Sequence, residues 1–273
     1  DQYTFDKTVG MGSEGIVKTC HNPHQNIVIK QISKRKLYKH RQMIDLHNEV
    51  KIMNSLCQLN HDNIIRLYET FNTKENYYFA IEACTEDLWK YITNNHPLSH
   101  NQIIQIYVDV EKALDFIWDK GYCHSDMKPE NILLGTDGKF KITDFNLSSS
   151  LLEKDTTLRG TPGFIAPEVV MESSDACGIK IDIWGFGCVI LNCVMGNDAF
   201  ETKWLSVLYD FKSLNIQDEL TTVCLTDALQ KKHQEMFERF YIRNCLQFNP
   251  DDRDIIDIMM TEQLPAIPEK RSL

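Results

Sequence analysis

The sequence contains no C-x-x-C pair. Its nine cysteines, at 20, 57, 84, 123, 177, 188, 193, 224 and 245, are scattered and odd in number. That pattern excludes a disulfide framework. It reads as reduced thiols, which predicts an intracellular protein of the cytoplasm, the nucleus or both. Metal-ligand clusters are equally scarce. His21 and His24 flank Pro23 with no second ligand cluster nearby, which favours a solvated turn. No clean apolar run of bilayer length occurs. The strongest, IDIWGFGCVILNCVM at 181–195, is short for a span and is interrupted by Asp182 and Asn192. It is expected as a buried core helix, without membrane insertion. Positive charge is in deficit. The 29 Lys and Arg against 39 Asp and Glu leave a net charge of −10, which gives no support for binding nucleic acid or anionic membranes. There is no internal repeat, low-complexity tract or signal-peptide pattern. The first residue is not Met and strand-like sequence starts at once, so a domain cut from a longer chain is expected.

What is present is an ordinary globular composition, 42% hydrophobic and 25% charged, over 273 residues. This length suits one large domain or two lobes sharing a cleft. Residues 3–9, 16–20 and 26–32 are short and rich in β-branched or aromatic side chains, which predicts strands. Met43, Leu46, Val50, Met53 and Cys57 then fall at helical spacing. IIRLYET and NYYFAIEA predict two more strands. Beyond about residue 85 the pattern turns helical. Ser99 and Gln102 have capping-box spacing, Ile103, Tyr107, Leu114 and Ile117 make an apolar stripe, and Gly121 suits a stop. NILL and KFKIT are strand-like pieces around the turn GTDG. A polar segment covers 146–163, and further helices follow. The basic segment SKRKLYKHR at 33–41, between a strand and a helix, reads as a structural loop and not a nuclear signal.

GMGSEG at 10–15 matches G-x-G-x-x-G, but strand pattern resumes immediately with IVKTC. A dinucleotide site would need a helix there, so these glycines belong to a hairpin. Glycines let backbone N–H groups approach phosphate oxygens. Lys30 closes the next strand and could reach phosphates under that loop, with Glu49 as the anion that holds it. Taken singly, both fit ordinary surface residues. HSDMKPEN at 124–131 and TDFN at 143–146 change the balance. A carboxylate can orient an acceptor hydroxyl and take its proton. A lysine can neutralise a transferring phosphoryl group. An amide oxygen and a second carboxylate can hold magnesium.

With GMGSEGIV, IVIK, Glu49, HDNIIRL, HSDMKPEN, DFN, GTPGFIAPE, DIWGFG and Arg253 of NPDDR in order, the chain resembles the eukaryotic protein kinases over nearly its whole length. The resemblance implies an α+β bilobal fold. Residues 1–84 would form a small β-rich lobe and hinge with one helix, and 85–273 a larger helical lobe. It implies ATP and magnesium (manganese as an alternative) as cofactors and proteins as substrates. Gly10, Gly12 and Gly15 would cover the phosphates, and Lys30 would contact them and pair with Glu49. Asp126 would be the base, Lys128 would sit beside the γ-phosphate, and Asn131 and Asp144 would bind the metal. Val17, Val28, Ile81, Glu82, Cys84, Asp87 and Leu133 would surround the nucleoside, with Ile81 guarding the back pocket and Asp87 near the ribose. Met53, Leu67, His124 and Phe145 would stack as an internal spine. Glu168 would pair with Arg253, and Asp182 would hold the catalytic loop. Lys128 and Thr161 are similar to serine/threonine kinases, and Glu86, Asp87 and Glu130 would favour a basic residue near the acceptor.

Three positions depart from that pattern. Ser125 replaces an arginine that braces an activation-segment phosphate, and serine cannot make a bidentate phosphate contact. Little dependence on phosphorylation of Thr156 or Thr157 is therefore expected, with Lys141 as one remaining cation for the pocket. Asn146 replaces a glycine, which offers positive φ and easy backbone flipping; Asn tolerates positive φ, so an altered balance between active and flipped loop states is expected, with metal binding kept. Val28 replaces alanine against adenine and narrows the pocket, with Ala83 or a shifted hinge as compensation. These departures motivate an alternative, a nucleotide-binding pseudokinase acting as scaffold or allosteric partner. A small-molecule kinase is disfavoured by GTPGFIAPE, which resembles a peptide-docking segment.

Overall fold

The computed structural model describes residues 4–11, 15–21, 27–35, 50–56, 60–152, 160–171, 176–204 and 242–255. Five strands make an antiparallel sheet in the order β1-β2-β3-β5-β4: β1 (Thr4–Met11), β2 (Ile16–His21), β3 (Ile27–Ser33), β4 (Leu67–Asn72) and β5 (Asn76–Glu82). Register sorts their side chains by face, because residues opposite one another in antiparallel strands point the same way. Val17 pairs with Lys30, Lys30 with Phe79, and Val28 with Ile81. Val17, Val28, Lys30 and Ile81 thus share one face. The other face has its own small core of Ile27, Ile29 and Ala80. The helix α1, residues 50–56, contributes buried Ile52, Met53 and Leu56 to the main core.

The remainder contains the short strands β6 (Cys84–Asp87), β7 (Tyr122–Cys123), β8 (Ile132–Gly135), β9 (Phe140–Ile142) and β10 (Ser149–Ser150). Its helices include α2 (Leu88–Asn95), α3 (His100–Asp119), α4 (Pro167–Val170) and α5 (Gly178–Met195). The α3 capping box forms: Ser99 N donates to Gln102 Oε1 at 2.8 Å, and Gln102 N donates to Ser99 Oγ at 3.4 Å. Ile103, Tyr107, Leu114 and Ile117 are all buried, each such side chain contributing roughly 1.5–3 kcal/mol. Gly121 ends the element at φ +80°. The apolar run at 181–195 is the core of α5, buried continuously from Asp182 to Met195. Among the described residues α5 alone is long and apolar enough to cross a membrane, and 78% of it is buried inside the protein. All seven described cysteines are free thiols.

Two expectations shift. The strand predicted from Ile64 starts at Leu67. Ile64 instead forms an isolated parallel bridge to Ile142, with Ile65 N donating to Ile142 O and Ile142 N to Asn63 O, both at 2.9 Å. This loop stitches the N-terminal sheet to β9. The strands β6, β7 and β10 were not anticipated, because two to four residues paired with distant segments leave no periodic signal.

Candidate active site

The segment 124–131 lies between β7 and β8, anchored from below by α5. Asp182, fully buried, accepts from His124 N (2.9 Å), Ser125 N (2.7 Å) and the Trp118 indole N–H (3.0 Å). Two consecutive amides aimed at one carboxylate bend the chain sharply, and Ser125 sits at φ +65°. Gly185 on α5 is required at the next contact, where a Cβ would lie 2.9 Å from Met127 Cβ. His124 is held through both ring nitrogens. Its Nδ1 accepts from Asp126 N at 3.3 Å, so its Nε2 donates to Thr143 O at 2.9 Å.

These anchors aim Asp126 at a cluster. Its Oδ1 accepts from the Thr161 hydroxyl at 2.9 Å. Its Oδ2 contacts Lys128 Nζ at 2.8 Å and accepts from Asn131 Nδ2 at 3.0 Å. Lys128 Nζ also donates to Thr161 Oγ1 at 2.7 Å. Asn131 uses its amide nitrogen for Asp126, including its backbone O at 2.8 Å, so its amide oxygen is the atom that could hold a metal. Across the cleft, Lys30 Nζ lies 2.8 Å from Asp144 Oδ1, joining β3 to the segment after β9. Burial raises the Asp144 carboxyl, but the Lys30 ammonium and its hydrogen bond outweigh this and hold it below the ordinary value. Asp144 therefore stays ionised.

The residues expected to surround the nucleoside lie on neighbouring strands. Val17, Val28 and Ile81 share the Lys30 face, Cys84 and Asp87 lie on β6, and Leu133 of β8 pairs with Asp87. Glu82 N donates to Arg66 O at 3.0 Å. Asp87 has a structural task as well: it caps α2 by accepting from Lys90 N at 2.8 Å. Gly15 approaches β3 so closely that a Cβ would collide with Gln31 O, whereas a Cβ on Gly10 would meet Val17 at ordinary contact, 3.5 Å. Gly15 is thus demanded by the hairpin itself. Gly12, Glu49, Thr156 and Thr157 lie outside the described residues.

The spine residues Met53, Leu67, His124 and Phe145 are all buried, and the His124 and Phe145 rings pair edge-on at 5.2 Å. Glu168 and Arg253 form a bidentate pair, NH1 to Oε1 at 2.6 Å and NH2 to Oε2 at 2.7 Å. The segment before α4 is pinned by Trp204, whose indole donates to Gly163 O at 2.9 Å.

One expectation is corrected. Lys141 does not serve the region of Ser125. Its buried ammonium is held on the hinge side by Glu82 Oε1 (3.0 Å), Asp137 Oδ2 (3.2 Å) and Asp62 O (2.9 Å). A charge that deep is retained only among such partners. Positive φ occurs not at Asn146 but two residues earlier, at Asp144, with φ +66°. The strain falls on the residue whose carboxylate must reach Lys30. Sequence reasoning missed the direct tie of Thr161 to Asp126; the only cue was a hydroxyl in the segment before APE.

A model of the protein kinase domain matches residues 3–263. NUAK family SNF1-like kinase 1 of Homo sapiens is 30% identical over 262 residues, 94% of this chain and 37% of that protein. CBL-interacting protein kinase 33 of Oryza sativa subsp. japonica is 30% identical over 216 residues, 76% of this chain and 47% of the relative. CBL-interacting serine/threonine-protein kinase 26 of Arabidopsis thaliana is also 30% identical over 216 residues, 76% of this chain and 48% of the relative. The chain spans about half or less of the length of these relatives. Together with the β-sheet lobe, the helical lobe and the cleft between them, the match over nearly all the chain identifies it as a member of the protein kinase family.

Proposed function

We propose that this chain is an active serine/threonine kinase that transfers the γ-phosphoryl group of ATP to hydroxyls of protein substrates. The observation that carries the reading is the convergence of Lys128, Thr161 and Asn131 within hydrogen-bonding distance of Asp126. Asp126 orients the acceptor hydroxyl and takes its proton, while Lys128, held beside it, neutralises charge on the moving group. Lys30, fixed by Asp144, reaches the phosphates. The donor set fits a hard divalent cation, since Asp144 is kept anionic and Asn131 offers an amide oxygen. These two would hold magnesium, or manganese, which supplies phosphate charge neutralisation when bound. Val17, Val28, Ile81, Leu133 and the 82–84 backbone would enclose the adenine. Free thiols support a reducing intracellular setting.

Control departs from the usual phosphate switch. Ser125 carries no charge, and Lys141 is engaged at the hinge. Activity is therefore expected to persist in a Thr156→Ala/Thr157→Ala variant. A preference for basic residues near the acceptor rests mainly on exposed Glu130, because Asp87 caps α2 and Glu86 accepts from Asn94 at 3.0 Å.

The test is magnesium-dependent transfer from labelled ATP to a generic basic protein, with phosphoamino-acid identification. Wild type should transfer to serine or threonine, and Asp126→Asn and Asp144→Asn should each lose about 100-fold or more. Folded wild type that binds ATP but transfers nothing would replace this reading with the nucleotide-binding scaffold.

A further inference from the structure

The serine that stands in place of the arginine is engaged within the fold. Cys123 Sγ lies 3.4 Å from Ser125 Oγ and 3.2 Å from Ser149 Oγ, and 3.5 Å from Ser149 O. Ser125 belongs to the catalytic loop and Ser149 to the segment that follows Asp144, so the thiol joins the two. Around this contact the backbone is laced together. β10 pairs with β7 through Ser149 opposite Cys123 and Ser150 opposite Tyr122. Leu151 N donates to Gly121 O at 2.9 Å, and Ser148 Oγ donates to His124 O at 3.1 Å. The far side is closed by α5. A Cβ on Gly178 would collide with Cys123 Sγ and lie 2.8 Å from Cys123 Cβ, so the thiol occupies the space beneath the first turn of that helix. Burial pushes the Cys123 thiol up, which keeps its hydrogen available for donation.

We propose that Cys123, Ser125 and Ser149 form a neutral brace that holds the start of the activation segment against the catalytic loop, doing by side-chain hydrogen bonds what an arginine and a phosphate would do by charge. The three are positioning residues, acting through His124, Asp126 and Asp144. This rests on the reading of the chain as an active kinase and names how that activity is maintained. The geometry favours a brace over a vacant phosphate site for two reasons. Each hydroxyl already contacts the thiol, and Gly178 approaches Cys123 so closely that a Cβ there has no room. A segment held this way keeps Asp144, whose backbone is strained at φ +66°, in place facing Lys30.

The experiment compares wild type, Ser149→Ala, Cys123→Val and Cys123→Ser by steady-state kinetics and by amide hydrogen exchange over residues 148–152. Loss of one such hydrogen-bonded contact is expected to lower kcat about fivefold while KM for ATP stays unchanged. Exchange at 148–152 should quicken in Ser149→Ala and Cys123→Val. Cys123→Ser keeps a donor and acceptor at the same atom, so it should retain most of the wild-type rate and protection. Because Cys123→Val also adds a methyl group against Gly178, Cys123→Ala is run beside it, and damage shared by both is assigned to lost hydrogen bonding. Unchanged exchange in both Ser149→Ala and Cys123→Val would overturn the brace, as would equal damage from Cys123→Ser and Cys123→Val. The exchange measurement needs no turnover. If wild type transfers no phosphate, the kinase reading fails, while the protection of 148–152 still decides the brace.

Discussion

Replacing Glu168 by glutamine would leave Arg253 as an uncompensated charge in the core. The Arg253 side chain is 0% exposed and that of Glu168 is 4%. Five N–H donors of the guanidinium are all engaged: two on Glu168, and one each on Gln247 O, Lys180 O and Phe248 O. Its plane also lies over the Trp184 ring, 4.9 Å from the centroid. Glutamine preserves the size of the side chain and removes only the charge and one acceptor. Breaking a buried pair from one side costs about 3–5 kcal/mol. At about 2–4 °C per kcal/mol for a chain of this size, the midpoint of thermal unfolding should fall by about 6–20 °C. The exposed Lys90–Asp87 pair provides the control: Lys90→Gln should cost under about 1 kcal/mol. High salt should leave the Glu168→Gln deficit in place, because water and ions do not reach the pair. Replacing both partners by leucine should recover part of the loss, since the desolvation penalty then disappears with the charges. The assay is circular dichroism against temperature at a fixed scan rate. A Glu168→Gln midpoint within about 2 °C of wild type would refute the reasoning, because it would mean Arg253 finds other compensation.

Lys141→Met should expose the role of the hinge-side network. Losing the contacts to Glu82, Asp137 and Asp62 O is expected to raise KM for ATP about three- to tenfold with kcat nearly kept; a fall in kcat alone would instead place Lys141 with the activation segment. Cys84 should resist alkylation. Burial, with the Glu82 carboxylate adding to it, pushes its thiol from 9.0 up to about 12, so its thiolate fraction near neutral pH is about a thousandfold below that of an ordinary thiol. Its labelling by iodoacetamide, followed by peptide mass analysis, should keep rising through pH 10 without a plateau; saturation below pH 9 would contradict this.

The order of motifs and the hydrophobic periods were legible in the sequence because they are local. Capping at Ser99 and Gln102, the stop at Gly121 and the stripe of α3 depend on neighbours within a few turns, and all appear as expected. The residue types at 124–131 and 143–146 announced phosphoryl-transfer chemistry because few other tasks need those groups in that order. The buried pair of Glu168 and Arg253 was legible only through resemblance, since no local rule joins residues 85 apart.

What tertiary structure alone decided concerns partners distant in sequence. Lys141 looked like a cation for the activation segment, yet strand register in β9 turns it to the hinge, where three acceptors hold it. Glycine is usual at the position of Asn146, yet the positive φ in this segment falls on Asp144, the residue whose carboxylate meets Lys30. Ser125 read as a loss of charge, and only the folded chain brings Cys123 and Ser149 to it. Local sequence fixes which backbone shapes are cheap. Which side chains meet depends on how separate elements pack, and that is set by burial and register across the whole chain.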